Sequence, residues 1–215
     1  MLSRRRRRED LTKPIRVGEV CDLAMRLPLS FYNRPALTVA RELLGKVLVH
    51  DAPNGRRAGC IVETEAYVGE HDLACHASKG RTKRTEVLFG PPGRAYVYFI
   101  YGMYYCLNVV TEPEGIAAAV LLRALEPLGG VPPGLFTNGP GKLCRAMEVS
   151  LAHNREDLRG KRLFIEDAPQ IPKSRIERGP RVGVEYSGPW AQRPYRFWIR
   201  GNRFVSAPRR STRNT

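Results

Sequence analysis

The spacing of apolar and polar residues along the chain predicts more strand than helix. Apolar runs and alternation predict strands at 46–50, 57–67, 118–125, 162–166, 182–186 and 195–200, with a turn at 53–55. Residues 96–110 are rich in aromatic and β-branched side chains and are interrupted at Gly102, which predicts strands around a bend or hairpin tip. Helices are predicted at 36–44, after Pro35 and before Gly45, and at 140–149.

The order of these elements shows no strand–helix–strand rhythm, which argues for an α+β fold. We expect a single domain with a mainly antiparallel β core, flanking helices and a protruding aromatic β-hairpin. The domain is expected to span residues 25–208, with a flexible basic tail at 1–24 and a second basic tail at 209–215. A chain of 215 residues is long enough to bury one sizeable core.

Positive charge is present in the body of the chain as well as in its ends. The formal net charge is +15, of which residues 1–16 carry +5, residues 209–215 carry +3 and residues 17–208 carry the remaining +7. A basic folded body favours a polyanionic partner, with nucleic acid first and an acidic membrane surface second. A solvated cationic surface without a partner is the alternative.

Cysteine and hydropathy patterns point to a reducing compartment. Five scattered cysteines form no CxxC pair, and His71, Cys75 and His76 fit no common zinc spacing, so we expect free thiols and no metal site. No apolar run reaches the length of a membrane span, and no apolar segment follows the arginines at 4–8. We therefore expect a protein that is neither secreted nor embedded in a membrane.

Two glutamates on one predicted strand are the first candidates for chemistry. Glu63 and Glu65 are two residues apart and so share one face of the strand 57–67. Apolar residues at 60–62 and 66–67 indicate burial on both faces, and a carboxylate in such surroundings can serve as a general base. Surface acids that serve solubility are the alternative, and the local pattern does not choose between the two glutamates.

Aromatic and basic segments follow that strand. Five of the nine tyrosines lie at 96–105, and a tip at Tyr101, Gly102 and Met103 could wedge into a base stack while aromatics behind it sandwich an extruded base. Ordinary core packing is the alternative. The loop 79–84 carries four cations, placed to hold phosphates: Lys79, Arg81, Lys83 and Arg84.

Arg123 lies in the apolar stretch 120–125 and must be paired if it is buried. Glu65 and Glu126 are the candidate partners. Pairing with Glu65 would be compatible with holding a water molecule beside that carboxylate.

Taken together, these segments resemble the alkyladenine (3-methyladenine) DNA glycosylase family. The matching stretches are GCIVETEAY at 59–67, YVYFIYGMYYCLN at 96–108, LLRALEP at 121–127, NGPGKLC at 138–144 and RVGV at 181–184. The similarity runs from about Leu29 to Ser206. It implies a monofunctional enzyme that flips a damaged purine out of duplex DNA, with Glu65 as the general base and with Arg123 and the backbone carbonyl of Val182 helping to hold the water.

The resemblance also implies roles for the aromatic residues and the basic loop. Tyr67, His76 and Tyr98 would enclose the flipped base, and Asn108 would exclude the exocyclic amino group of normal guanine. Tyr101 would fill the gap left in the helix, Met103 would flank it, and the loop with Arg81, Lys83 and Arg84 would contact phosphates. The enzyme is expected to need no cofactor or metal and to act as a monomer.

Substrate range and two departures from the family remain open in the sequence. The lesions could be 3-methyladenine and 7-methylguanine alone, or could extend to hypoxanthine and ethenoadenine. Several relatives carry a helical insertion where this chain has only nine residues between Leu128 and Asn138, and the basic stretch 1–16 matches no motif. The location is expected to be cytoplasmic, at the nucleoid, if the source is bacterial, and nuclear if it is eukaryotic.

Two rival functions remain at this stage. A non-catalytic DNA- or RNA-binding protein would use the basic body and the aromatics but would need neither Glu65 nor a buried Arg123. A metal-dependent nuclease would use Glu63 and Glu65 together, although no further Asp or His is close to them in sequence.

Overall fold

A computed structural model describes residues 25–206, and the tails expected at 1–24 and 209–215 lie outside the described residues. The strands are β1 (Val47–Ala52), β2 (Gly55–Val68), β3 (Ala95–Ile100), β4 (Tyr104–Thr111), β5 (Ala118–Gly129), β6 (Leu163–Glu166), β7 (Ile176–Gly179) and β8 (Arg196–Ile199). The helices are α1 (Leu29–Tyr32), α2 (Ala36–Glu42) and α3 (Pro140–Ala146). Short 3-10 helices lie at His76–Lys79, Glu86–Phe89, Leu151–His153, Lys173–Arg175 and Glu185–Gln192.

The strands form one sheet, and every strand pair in the described part of the chain is antiparallel. The order is β3-β4-β5-β2-β1-β6, and β8 pairs with both β2 and β7. The expected α+β class, with a single domain and a mainly antiparallel core, is therefore confirmed. None of the helices at 25–206 is long and apolar enough to cross a membrane.

Strand β2 is the centre of the sheet, because β1, β5 and β8 all pair with it. Its residues from 57 to 66 are all buried, which confirms the expectation of burial on both faces. A strand with neighbours on its edges and packed layers on its faces carries few water-exposed positions, so its polar side chains must be satisfied inside the protein.

A β-bulge between β2 and β5 directs Arg123 toward the two glutamates. In the register, Glu63 faces Ala124 while Thr64 faces Leu122, so Arg123 is the extra residue on β5. Bulges of this kind bend a strand and re-aim one side chain, often beside an active site. The bulge therefore explains how an arginine within an apolar stretch reaches the carboxylates of the neighbouring strand.

Helix α2 fixes one side of β2. Its buried residues Ala36, Val39 and Ala40 pack on the core, and Thr64 of β2 donates its hydroxyl proton to the Ala40 carbonyl at 2.7 Å. The Glu112 carboxylate accepts the Ala36 amide at 3.0 Å, so it satisfies one of the unpaired donors at the helix start.

The residues before α3 form turns, so the segment 130–139 contains no helix in this chain. Pro132, Pro133 and Gly134 disfavour a helix there, in keeping with the nine-residue connection seen in the sequence. Helix α3 begins at Pro140, and its Gly141 lies so close to Tyr104 of β4 that an added Cβ would come within 2.7 Å of the ring.

The strand predicted at 182–186 is wrong. Gly183 has a φ of 77°, a left-handed conformation that ends a strand, and a 3-10 helix begins at Glu185. The Val182 amide donates to a side chain instead of to a neighbouring strand. Strand β7, which pairs with β8, was not predicted because its sequence Ile-Glu-Arg-Gly is short and largely polar.

Candidate active site

A cavity of about 440 Å³ opens where β3, β4 and β5 meet the loops near 75 and 182. Its lining is largely aromatic, from Tyr67 and from β3 and β4, and it also includes Arg123 of β5 and residues 182–184 of the loop after Gly179. Pockets of a few hundred cubic ångströms with a few convergent polar groups are typical sites for small ligands.

Glu65 lies directly behind this wall and is fully buried. Its Oε1 accepts the Val182 amide at 2.7 Å and lies 3.2 Å from Nη1 of Arg123. Its Oε2 accepts the Tyr67 hydroxyl at 3.0 Å. Tyr67, Arg123 and Val182 all line the cavity, so the carboxylate is one layer from the space in which a ligand would bind.

Tyr67 remains a proton donor to that carboxylate. Burial raises the pKa of the Tyr67 phenol well above its ordinary value, and the nearby Glu65 charge raises it further. The Arg181 guanidinium stacks over its ring at 4.7 Å. The phenol therefore stays protonated and holds one oxygen of Glu65 in a fixed orientation.

Arg123 connects the two glutamates of β2. Its Nε donates to Glu63 at 2.9 Å, its Nη1 faces Glu65, and its Nη2 donates to the Ser206 hydroxyl at 3.1 Å. Burial opposes its charge, but Glu65 and Glu63 outweigh that effect and raise the pKa of Arg123 above its ordinary value. The expected pairing with Glu65 is present, whereas Glu126 accepts from Asn202 at 2.8 Å instead.

Glu63 accepts from protein donors at both of its oxygens. Oε1 accepts from Arg123, from Arg196 at 2.6 Å and from the Ser206 hydroxyl at 2.9 Å, and Oε2 accepts the Ser206 amide at 2.7 Å. Within residues 25–206, no group of three or more His, Cys, Asp or Glu side chains could hold a metal ion.

The loop that carries Val182 is held by a buried ion pair. Arg181 binds both oxygens of Asp72, at 2.5 and 2.8 Å, and donates to the Ala66 carbonyl at 2.9 Å. A bidentate pair of this kind fixes orientation as well as charge. The Val182 amide is thereby held against Glu65. The resemblance implied that the carbonyl of Val182 would hold the water, whereas the contact seen in the structure is made by its amide.

The aromatic side of the cavity is centred on His76. Its Nδ1 lies 2.8 Å from the Tyr96 hydroxyl, and its ring packs edge-on against Tyr98 with centroids 4.6 Å apart. Burial first, and then the positive charges of Arg84 and Lys79, lower the pKa of His76 to about 4. The imidazole is therefore neutral at physiological pH.

Asn108 lies in the cavity wall beside these aromatics. It faces Tyr96 across the β3–β4 pair and donates its Nδ2 proton to the Tyr96 carbonyl at 3.1 Å. Its side chain is buried and carries the one carboxamide among the aromatic residues of this part of the lining, beside His76, Tyr96 and Tyr98.

The turn between β3 and β4 carries large exposed side chains. Tyr101 is 68% exposed and Met103 is 64% exposed. Tyr101 also borders the cavity and has a φ of 54°, which is uncommon for a residue other than glycine. Exposed apolar side chains on a strained turn beside a cavity are consistent with contact to a ligand.

The basic loop lies next to the same opening. Arg81, Lys83 and Arg84 are all exposed. The Arg84 guanidinium lies 5.2 Å from the centre of the Tyr98 ring, and that of Arg81 lies 5.5 Å from Phe89. Arg84 thus faces a ring of the cavity wall as well as the solvent.

Three contributors to the site were missed in the sequence, Asp72, Tyr96 and Ser206, and so was Arg196, which pairs with Glu63 outside the cavity wall. Asp72 and Arg196 are single charged residues without a local sequence pattern. The ion pairs of Asp72 with Arg181 and of Arg196 with Glu63 are visible only in the folded structure. Tyr96 was grouped with the other tyrosines, and its bond to His76 could not be separated from core packing.

Comparison with known proteins identifies the family of this arrangement. Residues 30–203 match the family model described as methylpurine-DNA glycosylase. A protein of Myxococcus xanthus named as a 3-methyladenine DNA glycosylase is 58% identical over 180 residues, which cover 84% of this chain and 93% of the relative. Similarly named proteins of Legionella pneumophila strain Corby and Methanocella arvoryzae are 51% and 52% identical, each over 84% of this chain and over 98% and 95% of their own lengths. The chain therefore belongs to the methylpurine-DNA glycosylase family.

Proposed function

We propose that this protein hydrolyses the N-glycosidic bond of 3-methyladenine and related alkylated or deaminated purines in duplex DNA, with Glu65 as the general base. The observation that carries the proposal is the Glu65 carboxylate, which is fully buried and held by Val182, Arg123 and Tyr67 at the wall of an aromatic cavity. A carboxylate held so rigidly can accept a proton in one fixed direction.

The reaction needs only water and this base. The bond between C1′ of the deoxyribose and the purine nitrogen breaks, and the purine leaves with the electron pair. The water oxygen bonds to C1′, and Glu65 takes the proton that water loses. Purines alkylated at N3 or N7 are cationic before this step and neutral after it, so they are good leaving groups, whereas hypoxanthine must be protonated as it leaves.

The damaged base must leave the stack to reach the cavity, because its glycosidic bond is shielded inside the duplex. Tyr67, His76 and Tyr98 would enclose the flipped base, and aromatic faces attract the cationic lesions. Asn108 would exclude the exocyclic amino group of normal guanine. Flipping is easier at damaged or mismatched pairs, which adds to the selectivity.

DNA contacts would come from the β3–β4 turn and the basic loop. Tyr101 would fill the gap left by the flipped base, with Met103 beside it, as part of a protruding aromatic hairpin. Arg81, Lys83 and Arg84 would bind phosphates and position the duplex. The enzyme would act on DNA as a monomer, at the nucleoid in the cytoplasm of a bacterial source or in the nucleus of a eukaryotic one.

The test is release of free base from a panel of duplexes under single-turnover conditions. Each duplex carries one 3-methyladenine, 7-methylguanine, hypoxanthine or ethenoadenine, and an undamaged duplex serves as the reference. Glu65→Gln should lower the release rate by at least about 100-fold, because a general base contributes roughly 10²–10⁴-fold, while binding to a duplex with an abasic-site analogue stays unchanged.

Glu126→Gln is the matched control, because Glu126 is a glutamate of the neighbouring strand whose hydrogen bond goes to Asn202. It should release base at the wild-type rate. Excision that survives Glu65→Gln, or binding of DNA without release of any base by the wild-type protein, would contradict the proposed function.

A further inference from the structure

The second glutamate of β2 has a contact that bears directly on the first. Glu63 and Glu65 are both fully buried and share one guanidinium, that of Arg123. Arg123 gives its Nε to Glu63 and its Nη2 to the Ser206 hydroxyl, so only Nη1 remains for Glu65. The orientation of Arg123 is therefore set by groups other than Glu65.

Hydrogen-bond counting shows why this orientation matters. A carboxylate offers about four acceptor positions, two on each oxygen. The Val182 amide takes one position on Oε1 of Glu65, Nη1 of Arg123 lies 3.2 Å from the same oxygen, and the Tyr67 hydroxyl takes one position on Oε2. One position on Oε2 is left to accept a proton from water.

A guanidinium that is not otherwise held tends to bind a carboxylate through two parallel N–H bonds, one to each oxygen. If Arg123 turned to bind Glu65 in this way, its second N–H would occupy the remaining position on Oε2. The general base would then be blocked while the DNA-binding surface stayed as it is.

We propose that Glu63 is a positioning residue that holds Arg123 in single contact with Glu65 and so keeps one acceptor position of Glu65 open for the attacking water. The inference rests on the proposed function, because it assumes that Glu65 is the base. Glu63 itself contacts neither the water nor the purine, and it acts through Arg123.

A purely structural role for Glu63 would come from the balance of buried charges and not from the orientation of Arg123. Glu63 also pairs with Arg196 at 2.6 Å, and Arg196 donates to the Ser206 carbonyl at 3.0 Å. Two buried carboxylates and two buried guanidiniums balance in charge, and removing one member leaves an uncompensated buried charge. Arg196 does not line the cavity, and the bonds that hold Arg123 go to Glu63 and to the Ser206 hydroxyl, so removing Arg196 tests charge balance while those bonds remain.

The experiment compares Glu63→Gln, Arg196→Gln and the double variant. For each protein, single-turnover excision of 3-methyladenine at saturating enzyme, affinity for a duplex with an abasic-site analogue, and the free energy of unfolding are measured. Glu63→Gln should lower the excision rate by about 10- to 100-fold, less than the full contribution of a general base, with affinity unchanged. Arg196→Gln should lose stability but excise at the wild-type rate below its melting temperature.

The double variant separates rate from stability most clearly. Removing one charge of each sign restores the balance, so its stability should exceed that of both single variants while its excision rate stays as low as that of Glu63→Gln. Ser206→Ala removes one hydrogen bond to Arg123 and should lower the rate several-fold, and it serves as the readout if the Glu63 variants do not fold.

Wild-type excision by Glu63→Gln would overturn the inference, as would rates that follow stability across the three variants. If only Ser206→Ala is folded, a wild-type rate in that variant overturns it. Failure of the proposed function gives a different result, because Glu65→Gln would then keep its activity; an inactive Glu65→Gln together with a fully active Glu63→Gln rejects the positioning role alone.

Discussion

At the scale of single residues, the protonation state of His76 bears on the proposed binding of a cationic base. Its ring lies against Tyr98, and its pKa is lowered to about 4 by burial and by the charges of Arg84 and Lys79. A protonated imidazole at this place would repel a purine that already carries a positive charge. The neutral ring can stack on such a base without that repulsion.

The lowered pKa predicts a pH dependence of stability. Between pH 6.5 and about 4 the unfolded chain binds a proton at His76 while the folded protein does not, so the stability from the neutral imidazole is complete above pH 6.5 and is lost as pH falls toward 4. His76→Gln should therefore show a shallower fall in the free energy of unfolding across this window. The measurement is urea unfolding at stepped pH.

The wild-type protein is the reference in that experiment. The pKa of His153 is also lowered, by burial and by His50, so His153 adds the same pH dependence of stability to both proteins, and the difference between them reports on His76. Parallel pH profiles for the wild type and the variant would show that His76 is not held neutral by the fold.

Residue roles were predictable from the sequence only in part. The local pattern left Glu63 and Glu65 equivalent, and the family resemblance chose Glu65. The physical difference between them is that Glu63 is occupied by Arg196 and Ser206, which lie more than 130 residues further along the chain. No spacing rule on β2 could have revealed partners so distant in sequence.

At the scale of secondary structure, the turn between β3 and β4 combines backbone strain with exposed apolar surface. Tyr101 has a φ of 54° and Gly102 a φ of 66°, and the left-handed region costs roughly 1 kcal/mol for a residue with a Cβ. A glycine at 101 would remove that cost. An exposed aromatic ring on a strained turn beside the cavity is the arrangement that the proposed wedge role of Tyr101 requires.

Tyr101→Gly should change the free energy of unfolding by no more than about 1 kcal/mol, because relief of the backbone strain offsets the loss of the contacts that the side chain makes within the protein. The same variant should bind an abasic-analogue duplex more weakly and excise more slowly, because the gap in the base stack is no longer filled. Chemical unfolding and single-turnover kinetics measure the two effects.

Tyr101→Phe keeps the ring and the backbone conformation and should bind and excise like the wild type. A Tyr101→Gly variant that excises and binds as well as the wild type would remove this turn from DNA recognition.

Strands whose apolar pattern is continuous were predicted within a few residues, as for β2 and β5. The pattern failed at 182–186, where Gly183 turns the chain and the Val182 amide binds Glu65. It also gave no sign of the bulge that re-aims Arg123, because a bulge changes the register between two strands and leaves each strand's own sequence pattern intact.

At the scale of the whole molecule, the sheet brings together groups from four distant parts of the chain. β2 supplies Glu65, β5 supplies Arg123, the β3–β4 pair supplies the aromatic wall, and the loop at 181–184 supplies the Val182 amide. Family resemblance predicted Glu65, Arg123 and the aromatic residues but gave Val182 a role for its carbonyl and not for its amide, whereas composition predicted only a basic body with a polyanionic partner. Net charge is likewise a property of the whole surface, and it determines how strongly the protein attracts a polyanion.

The basic stretch 1–16 and the loop at 81–84 should contribute to DNA binding in separable ways. Replacing the five arginines at 4–8 by glutamine should reduce the slope of log affinity against log salt concentration by at most about 4–5, because each neutralised phosphate contributes about 0.9. Replacing Arg81, Lys83 and Arg84 by glutamine should reduce the same slope by at most about 3.

The N-terminal variant should lose affinity equally for damaged and undamaged duplexes and should excise at the wild-type rate when enzyme is saturating. The loop variant should also lose excision, because Arg84 faces the Tyr98 ring of the cavity wall. Affinities titrated at several salt concentrations on both duplexes decide the matter: a lesion-selective loss in the N-terminal variant would assign that segment a role in recognition, and an unchanged slope would remove it from DNA binding.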